Sequence, residues 1–190
     1  MNMKGLNEIV KEAFFDDNDT PVKAAIEDWI NKHAQEDAKL IQINDDLTLN
    51  TEYVCIFLDE NEQIPEYIRF KKSTSVIIYG EMTGNPLKIH KDLLPPTMKR
   101  LSINAGGVEF DNKLKSDVNE LTINRARTVI LSKKMTVSGK LNLTNCDGLE
   151  KLENIQGVKC VNIPNAYAAK LFRKTYNYKG DLHMNGFGPY

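Results

Sequence analysis

Cysteine is scarce in this 190-residue chain: Cys55, Cys146 and Cys160 are the only three, an odd number with no paired-ligand spacing. Neither a disulfide framework nor a zinc site is indicated. No apolar run approaches the roughly 18 residues that would span a bilayer. The opening Met1-Asn2-Met3-Lys4-Gly5-Leu6 lacks the apolar core of a secretory leader. Both gaps point to a cytoplasmic protein with no membrane partner. Histidine is equally thin, and His33, His90 and His183 are scattered along the chain. No phosphate-cradling glycine loop, nucleophile elbow or metal-ligand helix occurs. The expectation is of no enzyme, no cofactor and no bound metal. Asp16, Asp17 and Asp19 cluster closely, but they lack the alternation of a calcium loop and read as solvated turn residues. Gly106-Gly107 reads as a tight corner rather than a phosphate site.

Charge is present in quantity but unevenly. The net value is only −1, yet residues 1–66 hold 16 acids against 5 lysines, and residues 67–190 hold 20 bases against 10 acids. Solvated surfaces explain most such splits. A basic surface for an acidic partner, or attraction between the two halves, is the functional alternative.

The strongest pattern lies in residues 98–165. Leu101-Ser102-Ile103-Asn104, Leu121-Thr122-Ile123-Asn124, Leu141-Asn142-Leu143-Thr144 and Val161-Asn162-Ile163-Pro164 each begin twenty residues after the last. Met98, Val118 and Val158 stand three residues upstream of the first, second and fourth phrases; the third has Ser138 there, with Val137 beside it. A period of about twenty marks stacked coils, each giving one short strand to a parallel sheet, because a single coil cannot bury its own apolar edge. Strand alternation sends Leu101 and Ile103 inward and Ser102 and Asn104 outward, and likewise in the next coils.

The phrase resembles that of leucine-rich repeats, and residues 93–103 resemble the short bacterial class of that superfamily, found also in phage-like proteins. The run Leu149, Leu152, Ile155, Val158, Val161, Ile163 continues the rhythm that the family uses on its return side. The resemblance covers residues 87–165 and implies an α/β solenoid with a parallel sheet. One departure is plain: the family's polar ladder position holds Gly106, Ala126, Cys146 and Ala166. Only Cys146 fits, so the corner amides need another partner, with nearby Asn side chains as candidates. A β-solenoid with extra strands at Val108-Glu109-Phe110 and Val129-Ile130-Leu131 is the alternative fold.

Around the repeats, Leu6, Ile9, Val10, Ala13 and Phe14 form a helical stripe, and Val22, Ala25, Ile26, Trp29, Ile30 and His33 form a second after Thr20-Pro21. The spacing predicts a capping hairpin over residues 1–38, with Trp29 and His33 in its buried stripe. Residues 39–165 form the solenoid, whose early coils to residue 86 are irregular; Ile77 and Tyr79 take the phrase positions there. Residues 166–190 give a capping helix and an aperiodic, Gly-rich tail.

A rigid sheet face suits recognition better than catalysis. The expected partner-binding face is Arg100, Ser102, Asn104, Glu120, Thr122, Asn124, Arg125, Lys140, Asn142, Thr144 and Asn162. It carries hydrogen-bonding groups and few bases, with no aromatic stacking platform. A protein–protein interaction module, a bacterial or phage accessory protein, is the first expectation. A nucleic-acid-associated protein using the basic 67–190 half is the alternative.

Overall fold

The structure is a computed structural model, and it describes residues 19–146, 149–163 and 172–184. It is a β-solenoid of parallel coils. Seven strands run parallel in one sheet: β2 (Leu49–Phe57), β3 (Phe70–Tyr79), β5 (Thr97–Asn104), β7 (Asp117–Asn124), β9 (Thr136–Asn142), β11 (Val158–Ile163) and β12 (Asp181–Met184), with the short β1 (Gln42–Ile43) antiparallel on the edge of β2. The return side of the coils is a second parallel sheet, built from β4 (Leu87–Ile89), β6 (Gly107–Phe110), β8 (Thr128–Ile130) and β10 (Lys151–Glu153). The extra strands expected near residues 108–110 and 129–131 are β6 and β8. Helix among the described residues is confined to α1 (Asp19–His33), short 3-10 segments and a turn at 172–176, so the parallel sheets rather than an α/β alternation dominate the described residues.

The repeat works as its spacing predicts. Leu101, Leu121, Leu141 and Val161 pair in register, and all are buried, as are Ile103, Ile123, Leu143 and Ile163. Met98, Val118, Val137 and Val158 make the upstream buried column. Val137 takes its place because β9 carries one extra residue between Val137 and Lys140, opposite Asn119 alone. Gly139 permits this bulge, since a Cβ there would lie 2.4 Å from the Asn119 carbonyl oxygen. From the second sheet, Leu87, Val108, Val129 and Leu152 form the opposing column.

A third ladder runs along the corner that leads into the main sheet. Leu47, Ile68, Leu93, Leu114 and Met135 each donate a backbone N–H to the carbonyl three residues earlier, closing five turns in successive coils. All five side chains are buried. Ser116 and Ser132 tie neighbouring turns together, donating their hydroxyls to the Pro95 and Leu114 carbonyls at 2.7 Å each.

Three expectations need correction. In the early coils, Val76 and Ile78 pair with Leu101 and Ile103, so Ile77 and Tyr79 point outward. The period there is 25 residues, and a shift of one residue exchanges the two faces of a strand. The tail is not wholly aperiodic either, since β12 extends the main sheet, Val161 facing Leu182. Tyr178 anchors that segment by donating its hydroxyl to the Val158 carbonyl at 3.0 Å. Gly106 departs in its reason: it sits at a coil corner because a Cβ would lie 2.0 Å from the Met82 carbonyl oxygen, a matter of close approach.

At the other end α1 buries Val22, Ile26, Trp29 and Ile30. His33 is 1% exposed, with Nδ1 2.7 Å from the Phe57 carbonyl oxygen and Nε2 3.1 Å from Glu62 Oε1, a proximity rather than an aligned hydrogen bond. The carbonyl can only accept, so Nδ1 carries the proton and ties the end of α1 to the end of β2. Trp29 and His33 are thus core residues, their rings 4.7 Å apart. The first helix of the hairpin, residues 4–15, and most of the helix expected from residue 166 lie outside the described residues, as do Asp16 and Asp17 of the acidic cluster, whose Asp19 begins α1. No described helix is long and apolar enough to cross a membrane.

Candidate functional site

Strand alternation sets the outer face of the main sheet as three columns, one rung per coil. The central column is Cys55, Ile77, Ser102, Thr122, Asn142, Asn162 and His183. On one side stand Phe57, Tyr79, Asn104 and Asn124; on the other, Tyr53, Ser75, Arg100, Glu120, Lys140, Cys160 and Asp181. Nine of the eleven expected face residues fall on these columns. Thr144 lies just past β9, its N–H donating to Asn142 Oδ1 at 3.1 Å. Arg125 lies at the corner after β7, in the left-handed region at φ 64°, where its N–H donates to the Asn145 carbonyl.

Part of the polar surface is self-satisfied through its asparagines. Asn145 donates to Asn124 Oδ1 and Asn124 to Asn104 Oδ1, both at 2.9 Å, giving a side-chain ladder over three coils. The corner amides turn instead to carbonyls of adjacent coils, Gly106 to Glu81 and Arg127 to Gly106. Asn side chains were the expected partners, but the stacked backbones approach closely enough to pair directly. Cys146, the one residue that fits the polar position, gives its thiol to the Ile123 carbonyl at 3.1 Å. Glu120 and Lys140 approach to 3.9 Å on an exposed rim, a pair of small energetic weight.

Sequence reasoning missed the aromatic end of this face. Phe57 and Tyr79 stack with centroids 4.9 Å apart and planes at 4°, and Tyr53, Phe57 and Tyr79 are among the few large exposed apolar side chains, at 41%, 41% and 39%. The signal was available as alternation in Tyr53-Val54-Cys55-Ile56-Phe57 and Val76-Ile77-Ile78-Tyr79. It was hidden because the irregular period left the register open. The Tyr53 hydroxyl lies 2.9 Å from Cys55 Sγ; that bond, then burial, then negative charge at Cys55, Asp37 and Tyr79 push its pKa up to about 12. Cys55 N–H donates to Asp37 Oδ2 at 2.9 Å, which sets this carboxylate at the edge of the patch.

No protein-family model, curated protein or solved structure matches this chain. The face itself therefore carries the functional argument.

Among the described residues of this face, no hydrogen bond joins a histidine to a cysteine, serine or threonine. Burial raises the Cys160 thiol pKa, with Asp181 adding to the effect, which disfavours the thiolate. The three histidines occupy three places: His33 under β2, His90 in the third corner turn and His183 on the outer column of β12.

Proposed function

We propose that this chain is a non-catalytic protein-binding module, in keeping with a bacterial or phage accessory protein of the cytosol that engages a host protein. The partner contacts the outer face of the main sheet, from the aromatic end through the Ser, Thr and Asn columns. The supporting observation is the exposed Phe57–Tyr79 stack with Tyr53 on a face whose later coils present Ser, Thr and Asn. Aromatic anchors are the usual energetic centres of interfaces, and the pairing of β2 with β3 and of β3 with β5 holds these with little conformational cost. A kinship with leucine-rich repeats belongs to the same proposal, resting on the twenty-residue interval and the apolar phrase. So does a capping role for the terminal helices, which a solenoid needs at its open ends.

Capture of a partner from a lysate, with mass-spectrometric identification, tests the reading when run on three forms: the wild type, Phe57→Ser, and Asn124→Lys with Asn142→Lys. Loss of one specific protein with either variant supports it. Equal recovery on all three forms removes the face as the contact.

A second reading, nucleic-acid association, is favoured by one observation. The exposed positions of the last corner turns are Asn112-Lys113 and Lys133-Lys134, with Lys115 beside them, and no carboxylate pairs with these lysines among the described residues. Titration of a labelled duplex with salt separates the readings. A steep loss of affinity between 50 and 200 mM salt, of the kind counterion release produces, supports nucleic acid, on the order of a hundredfold for four phosphate contacts. No binding at low salt removes it.

A further inference from the structure

The aromatic end of the face has a chemical bias that its polar end lacks. Asp37 is half-buried beside it, one carboxylate oxygen accepting from the Cys55 amide at 2.9 Å, and no Lys, Arg or His lies within ion-pair distance of it among the described residues. A carboxylate partly withdrawn from water and left without a cation is an attractor for one. Tyr53 lies within reach of its charge, and the aromatic rings of this face carry negative quadrupole faces, which favour the same sign of ligand. The surrounding sequence agrees, since residues 1–66 hold 16 acids against 5 lysines.

We propose that Asp37, with Tyr53, Phe57 and Tyr79, forms a receptor for a cationic side chain, arginine or lysine, carried by the protein partner. The inference rests on the protein-binding reading above and names the chemistry of the group that docks. The carboxylate supplies the charge, and the aromatic surface with Cys55 and Ile77 takes the apolar stem that both cationic side chains carry. Arginine fits best: its planar guanidinium stacks on rings while its N–H groups reach a carboxylate. A single-stranded nucleic acid would also stack on the rings, but its phosphates meet the acidic half of the molecule.

The test is an NMR titration of the full chain with three probes: acetyl-Gly-Arg-Gly-amide, its Glu counterpart and a short single-stranded oligonucleotide. The Cys55 amide, which donates to Asp37, is the reporter. A saturable shift at Cys55, Phe57 and Tyr79 with the Arg peptide alone is expected. Asp37→Asn keeps an acceptor for the Cys55 amide, so the fold is preserved, and affinity should fall about tenfold, the equivalent of one charge-assisted contact. No saturable shift, an Asp37→Asn protein that binds like the wild type, or equal binding of either other probe overturns the inference. The two failures are separable: if Phe57→Ser still abolishes partner capture while Asp37→Asn does nothing, the face stands and the cationic ligand does not.

Discussion

Strands β2 and β3 turn Tyr53, Cys55, Phe57, Ser75, Ile77 and Tyr79 outward, whereas β5 and β7 turn out Arg100, Ser102, Asn104, Glu120, Thr122 and Asn124. The inward sides barely differ: Val54, Ile56, Val76 and Ile78 continue the buried columns of Leu101, Ile103, Leu121 and Ile123. The corner turns show the same contrast. Their exposed charges run from Asp45 and Asp46, through Glu66 and the paired Lys91 and Asp92, to Lys113 and then Lys133 and Lys134. The interior is thus held to one rule by stacking, while the exterior is free to change from acidic and aromatic to basic and polar. Differences of that kind, on a common frame, are where binding is encoded.

The comparison breaks most visibly if an interior residue and an exterior aromatic prove equally important to stability. Leu121→Ala removes a fully buried side chain from the middle of the stack and is expected to cost about 2–5 kcal/mol in urea unfolding. Phe57→Ser, on the exposed stack, should change stability far less. Next in size is His33→Ala, which leaves the Phe57 carbonyl without its buried donor; a loss of about 1–3 kcal/mol is expected. Faster hydrogen exchange at the β2 end, with β7 and β9 unaffected, would show that the damage stays in the first coils.

A smaller and pH-dependent effect is expected at the third corner turn. Burial lowers the His90 pKa from its ordinary value of 6.5, against the opposing pull of Asp92 and Glu66. The unfolded chain then takes up the proton more readily than the fold does. The stabilising contribution is complete above 6.5 and is lost as pH falls through and below that value. Thermal melts across pH 5–8 should show the decline, and His90→Asn should flatten it. Smallest is the rim: Lys140→Ala breaks the exposed 3.9 Å approach to Glu120 and should shift stability by no more than about 0.5 kcal/mol. A large effect there would mean that the polar end of the face is under tighter constraint than its exposure implies.

Much of this architecture was legible in the chain because a fixed period is a local signal. Leu101, Leu121, Leu141 and Val161 announce both the stack and its inward face, and the Trp29 and His33 stripe announces a buried helix. Legibility ended where the coil length changed. Between Ile78 and Ile103 the spacing is 25 residues, and without a constant interval nothing in the local pattern says which of two alternating sets faces in. The aromatic end of the outer face was lost to that ambiguity. β12 was lost for a related reason: a strand of four residues, Asp181–Met184, is too short to show a period of its own.

Sequence alone settled that apolar residues would recur on one side of a parallel stack, since alternation along a strand and repetition between coils are both properties of the covalent chain. It also settled which short polar residues would tile the outside of the later coils. Tertiary structure alone decided the register of the irregular coils, the ladder of Asn104, Asn124 and Asn145, and the meeting of Asp37 with the Cys55 amide. Those contacts depend on which strands become neighbours. That choice rests on burial summed over the whole core, to which no single segment holds the key.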